Sequence, residues 1–140
     1  MGRYLYFCIV IGDSLNNLKH FKAQAIIFDK DGTLIDFDAM WGGWVIYLAG
    51  QLQEVSGLDV REALCLAMGY DETNKKVLAH GMMAASPMAT LYQLTVEVMQ
   101  AAGLSSEQAE QVVKDGWCIP DPVISAKQFT DTRELFRKLS

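Results

Sequence analysis

Positive charge is scarce in this 140-residue chain: 12 Lys and Arg stand against 17 Asp and Glu, a formal net charge of -5. A protein that holds nucleic acid by neutralising phosphates needs the opposite balance, so no nucleic-acid partner is expected. Long apolar runs are missing too. The longest, Tyr4 to Ile11, has about half the length of a membrane span. Gly12, Asp13, Ser14, Asn16 and Asn17 follow it, where a secretory leader would carry a small-residue cleavage site. Neither a membrane partner nor secretion is expected. Cysteine is sparse: Cys8, Cys65 and Cys118 stand far apart with no C-x-x-C spacing, and an odd count leaves one outside any disulfide scheme. They read as reduced, mostly buried thiols of a cytoplasmic protein. His20 and His80 have no metal-ligand partner at a useful spacing, and the chain carries no internal repeat or low-complexity tract. What remains, 51% hydrophobic and 21% charged residues, is the composition of a folded domain of roughly 100–150 residues.

Along the chain, residues 1–23 carry the apolar run and then a weakly basic polar segment, an N-terminal extension of unclear status. Ala25-Ile26-Ile27-Phe28 is a short apolar run that stops at Asp29-Lys30-Asp31-Gly32, as a fully buried strand ends in a loop. From Met40 to Gly116 the period becomes helical. Trp41, Trp44, Val45, Leu48, Leu52 and Val55 share one helix face despite Gly42, Gly43 and Gly50. Asp59 with Glu62 has capping-box spacing ahead of a second helix that Gly69 closes. Ser86 and Pro87 open a third that Gly103 ends. Ser105 with Gln108 opens a fourth, with Gly116 after it. Four amphipathic helices with short connections predict a small bundle. Pro120 and Pro122 mark a linker, and a last helix begins near Asp131 with Glu134 in capping-box position.

The chemistry concentrates at Asp29-Lys30-Asp31-Gly32-Thr33. In an extended segment Asp29 and Asp31 point to one side and Lys30 to the other. Two carboxylates at a strand end can divide a phosphoryl transfer, one attacking phosphorus and the other protonating the leaving oxygen and later activating water. Their mutual repulsion is relieved by a bound Mg²⁺. Gly32 permits a sharp turn, and Thr33 offers a hydroxyl and a backbone N–H to an oxyanion. An ordinary Asp-rich turn is the alternative reading of the bare pattern. A calcium loop is excluded, because counting from Asp29 puts Leu34 where the turn glycine belongs and Met40 where the bidentate Glu belongs.

The segment Ala25-Ile26-Ile27-Phe28-Asp29-Lys30-Asp31-Gly32-Thr33-Leu34-Ile35-Asp36 resembles the first motif of the haloacid dehalogenase superfamily, an apolar strand followed by D-x-D-G-T-[LV]. The resemblance covers most of residues 24–140. It implies an α/β fold: a Rossmann-like core, of which this chain holds the first strand and one core helix, with a mainly α-helical cap inserted. Residues 24–39 then carry the core strand and motif, 40–118 the cap, and 119–140 the linker and the start of the returning core. By the same resemblance Asp29 is the nucleophile that forms an aspartyl-phosphate and Asp31 the general acid/base. Gly32 and Thr33 bind phosphate, and Mg²⁺ is held by the Asp29 carboxylate and the Asp31 backbone carbonyl. Haloacid dehalogenases lack the second acid, so Asp31 points to phosphate esters and to the branch that resembles phosphoglycolate phosphatases, with a small phosphorylated metabolite as substrate.

A full-length member of that family carries a Ser or Thr, a Lys and an acidic pair in later motifs, and none has a counterpart here. Ser125, Thr130 and Thr132 do not end an uninterrupted apolar strand. The expectation is therefore an N-terminal part of a phosphatase, nearly inactive alone, since losing a single charge-stabilising group typically costs about 10²–10³ in rate. A phosphomutase, which needs a bisphosphate activator, and a non-catalytic helical interaction module are the competing functions. Further readings attach to single residues. Asp36 and Asp38 extend the acidic site, or Asp38 caps the first helix. Trp41, Trp44 and Tyr47 line a pocket, or the two tryptophans are core. Gly81-Met82-Met83-Ala84-Ala85 is a flexible connection near the active site, or an ordinary loop.

Overall fold

The computed structural model describes residues 34–120 together with Lys127, Asp131, Arg133, Glu134 and Arg137. The expected strand Ala25–Phe28 and the N-terminal extension lie outside the described residues. The chain divides into two units: Met1–Asp36 with Lys127–Ser140, and Phe37–Ala126 between them. At the coarse level the described residues combine helices with a small antiparallel sheet.

The unit Phe37–Ala126 is built on helix α1, Phe37–Ser56. Its buried side chains Met40, Trp44, Val45, Leu48, Ala49 and Leu52 recur around one side of the helix, so one face is apolar. Leu52 is the last of them; Val55, expected on that face, is 45% exposed. The helix is closed by Ser56, whose Oγ donates to Leu52 O at 2.6 Å and accepts the Leu58 N–H at 3.1 Å. Helix α2, Arg61–Met68, follows. The expected capping box at its start does not form. Val60 takes the cap position, and the Asp59 carboxylate accepts instead from Arg61 N at 3.2 Å. Gly69, at φ +76°, ends α2 in the left-handed conformation, where a side chain is disfavoured.

Strands β1, Tyr70–Asp71, and β2, Lys76–Val77, then pair antiparallel with Tyr70 opposite Val77 and Asp71 opposite Lys76. The sequence pattern carries no sign of this hairpin, because two residues per strand are too few for a period to show. Helix α3 is a single turn, Met82–Ala85, where a flexible connection was expected. It forms because Met83, 3% exposed, is core. Ser86 belongs to the end of α3, its N–H bonded to Met82 O at 2.9 Å, and does not open the next helix. Helix α4, Met88–Ala101, starts at Pro87 without a side-chain cap. A proline lacks the N–H that a helix start leaves unpaired. Helix α5, Ser106–Gly116, has its capping box complete: Gln108 N donates to Ser105 Oγ at 3.3 Å, and Ser105 N to Gln108 Oε1 at 3.0 Å.

The core lies among α1, α2, α4 and α5, with Leu48, Leu52, Leu64, Met68, Leu91, Met99 and Val113 fully buried. Thr95, the buried polar side chain there, donates to Leu91 O at 2.7 Å. An aromatic row joins the beginning and end of the unit: ring centroids are 5.8 Å apart for Phe37 and Trp41, 5.5 Å for Trp41 and Trp44, 5.6 Å for Trp44 and Trp117, and 5.0 Å for Trp117 and Tyr92. Trp44 Nε1 also donates to Cys118 O at 2.9 Å.

In the other unit, Asp36 N donates to Lys127 O at 2.7 Å, so the chain is hydrogen-bonded across the two positions where it leaves and rejoins that unit. Asp131 Oδ1 accepts from Arg133 N at 3.0 Å and Glu134 N at 3.1 Å, and Arg133, Glu134 and Arg137 have helical backbone. The helix start expected near Asp131 is formed by this side chain.

Candidate functional site

Asp29, Asp31, Gly32 and Thr33 lie outside the described residues. The described chain begins at Leu34, and two residues on Asp36 N donates to Lys127 O. In sequence, the acidic motif therefore stands directly before the point where the chain departs into the helical unit. Among the described residues, no group of three or more His, Cys, Asp or Glu side chains is placed to hold a metal ion.

Asp38 departs from its expected role. Helix α1 begins at Phe37, so Asp38 sits in the first turn and does not cap it. Its Oδ1 accepts the Val77 N–H at 2.8 Å and its Oδ2 meets Lys76 Nζ at 2.9 Å, fastening β2 to the start of α1. Burial alone would raise its pKa, but the hydrogen bonds from Lys76 and Val77 and the lysine charge together hold it below the usual carboxylate range. No local pattern links residues 38 and 77. The nearest sequence cue is Gly42, four residues on, where a methyl group would overlap the Tyr70 ring.

The aromatic candidates separate. Trp44 is 3% exposed and belongs to the core, whereas Tyr47 is 58% exposed on the surface of α1. Trp41 is half-buried, and its Nε1 is a buried donor that finds no acceptor among the described residues. Cys65 and Cys118 are unpaired thiols. Burial raises the pKa of each; Glu72 adds to the rise at Cys65, and Trp44 opposes it at Cys118. Both are thus poor thiolate nucleophiles near neutral pH.

On the far side of α2, Arg61 forks onto Glu72: Nε donates to Oε2 at 3.2 Å and Nη2 pairs with Oε1. Asp71 receives Asn74 N at 3.0 Å and Asn74 Nδ2 at 2.7 Å, and these bonds lower its pKa. These contacts shape shallow surface depressions beside α2 and β1, and neither collects a catalytic grouping.

No family model, curated protein or solved structure matches the chain. No helix among the described residues is long and apolar enough to cross a membrane.

Proposed function

We propose that this chain carries the nucleophile-bearing part of a Mg²⁺-dependent phosphatase of the haloacid dehalogenase type, acting on a small phosphorylated metabolite. The observation that carries the reading is the insertion. A helical unit, Phe37–Ala126, interrupts a second unit whose two pieces are hydrogen-bonded to each other at Asp36 and Lys127. The D-x-D-G-T segment ends three residues before that departure. In sequence, an apolar run that ends in a pair of carboxylates and is followed at once by a helical insertion is the arrangement that the motif's resemblance implies.

In this reading an Asp29 carboxylate oxygen attacks phosphorus, the ester P–O bond breaks, and the leaving oxygen takes a proton from the Asp31 carboxyl group. Asp31, now a carboxylate, takes a proton from water as that water attacks the phosphorus. The Asp29–phosphorus bond breaks and inorganic phosphate leaves. Gly32 leaves room for the phosphate to approach the backbone, and Thr33 donates to its oxygens. The Asp29 carboxylate and the Asp31 carbonyl are hard oxygen donors suited to Mg²⁺, which when bound offsets the negative charge gathered by two acids and a phosphate. The unpaired thiols suit a cytoplasmic location.

The test is trapping of the acyl phosphate. The protein as isolated from its source is mixed with Mg²⁺ and p-nitrophenyl phosphate, quenched in acid and mapped by mass spectrometry. A hydroxylamine-labile phosphate on Asp29, with phosphate release abolished by Asp29→Asn, is expected. Phosphate release that survives Asp29→Asn would overturn the reading.

A further inference from the structure

Residues 69–81 leave the helices and return through a closed base. A Cβ on Gly69 would lie 2.5 Å from Gly81 Cα, and one on Gly81 2.9 Å from Gly69 Cα, so the two backbones touch. Leu78 N donates to Gly69 O, and Gly81 N to Leu78 O, both at 2.8 Å. The hairpin between them is too short to stand alone, and residues 72–76 are exposed. Val77 packs half-buried against the core, and further contacts hold the hairpin to the helices. Asp38 binds Val77 N–H and Lys76, the Tyr70 ring occupies the space left by Gly42, and Arg61 forks onto Glu72, with both side chains about half exposed. Cys65 lies at the edge of this attachment. It is 4% exposed and lines, with Glu62, Leu66, Tyr70 and Asp71, one depression of about 660 Å³.

We infer that residues 70–80 form a hinged strap, which swings off α1 and α2 about the Gly69–Gly81 crossing while the helices stay folded, uncovering the Gly42 face of α1 and the Cys65 thiol. No residue of 70–80 is fully buried, Tyr70 and Val77 pack against the core only as half-buried side chains, and the Arg61–Glu72 pair lies at the surface, where an ion pair holds weakly against water and salt. The helices by contrast are held by a continuous apolar core. Segments with few apolar contacts open far more often than the whole fold unfolds. Backbone bonds at the base keep the two ends of the strap together as its tip moves. The inference concerns the unit Phe37–Ala126 alone and stands whatever chemistry Asp29 and Asp31 perform.

The full chain carrying Cys8→Ser and Cys118→Ser lets Cys65 report opening through its rate of reaction with an aromatic disulfide, while amide exchange is followed at Val77, Met99 and Val113. Adding Asp38→Ala is expected to speed Cys65 labelling and Val77 exchange together by about tenfold, the effect of losing a hydrogen bond to a charged group. Met99 and Val113 should be unmoved. Glu72→Gln, which weakens the other clip, should give a smaller rise in Val77 exchange, the reporter for this variant because loss of the Glu72 charge by itself lowers the Cys65 pKa. If Asp38→Ala changes neither Cys65 nor Val77, or if Met99 and Val113 accelerate in step with them, there is no separate strap opening and the inference fails.

Discussion

The helical bundle and the excursion at residues 69–81 are built by different means, although they belong to one unit. In the bundle, Leu48, Leu52, Met99 and Val113 are fully buried and each shares its burial with many neighbours. The excursion instead depends on single atoms: one carboxylate at Asp38, one missing side chain at Gly42, one backbone crossing at Gly69 and Gly81. The bundle is robust to the identity of any one polar group and sensitive to lost volume. The excursion is the reverse, sensitive to added volume and to one charge.

The largest effect should come from the bundle. Leu48→Ala is expected to lower stability by about 2–5 kcal/mol, read as a fall in the urea midpoint at unchanged slope. Gly42→Ala breaks the excursion from the opposite direction, by filling. Displacing the Tyr70 ring should cost about 1–3 kcal/mol, and Tyr70→Ala should cost less in the Gly42→Ala background than alone. Additivity of the two would show that the ring does not depend on that gap. Ser105→Ala should cost about 1 kcal/mol and Asp59→Ala less, since only Ser105 completes a capping box; equal losses would contradict the difference between the two helix starts.

The smallest effect concerns pH. The folded-state pKa of Asp38 is lowered, so the stability it contributes is present above the ordinary Asp value of about 3.9 and is lost as the pH falls through the lower folded value. Asp38→Asn should therefore flatten the acid limb of the stability profile below about pH 4 and leave its neutral region nearly level.

These contrasts also explain which elements were legible in the sequence. Ser105 with Gln108 and Asp59 with Glu62 have the same spacing, and only the first forms a box. The Asp59 carboxylate is short enough to turn onto Arg61 N two residues on, a local competition that spacing does not report. Helical periodicity found α1, α2, α4 and α5 because their burial repeats over several turns. It passed over the hairpin and α3, whose burial rests on one residue, Met83. Gly42 looked like a weakness in α1. It is the place where Tyr70 fits, while Gly43 and Gly50 have no neighbour near a Cβ position. The Asp38 clip spans 39 residues, and no pattern along the chain encodes such a pairing. The acidic motif is contiguous in sequence, and its residues lie outside those the structure describes.

The aromatic row has an optical consequence. The chain has three tryptophans, Trp41, Trp44 and Trp117, and all stand in one line of touching rings within the inserted unit. Intrinsic tryptophan emission from this protein is therefore the emission of that unit alone. The near-perpendicular indoles, 5.5 and 5.6 Å apart, are close enough for their transitions to couple. The near-ultraviolet circular dichroism then becomes a spectroscopic signature of the seam between α1 and the segment after α5, and loss of that coupled band would mark its parting.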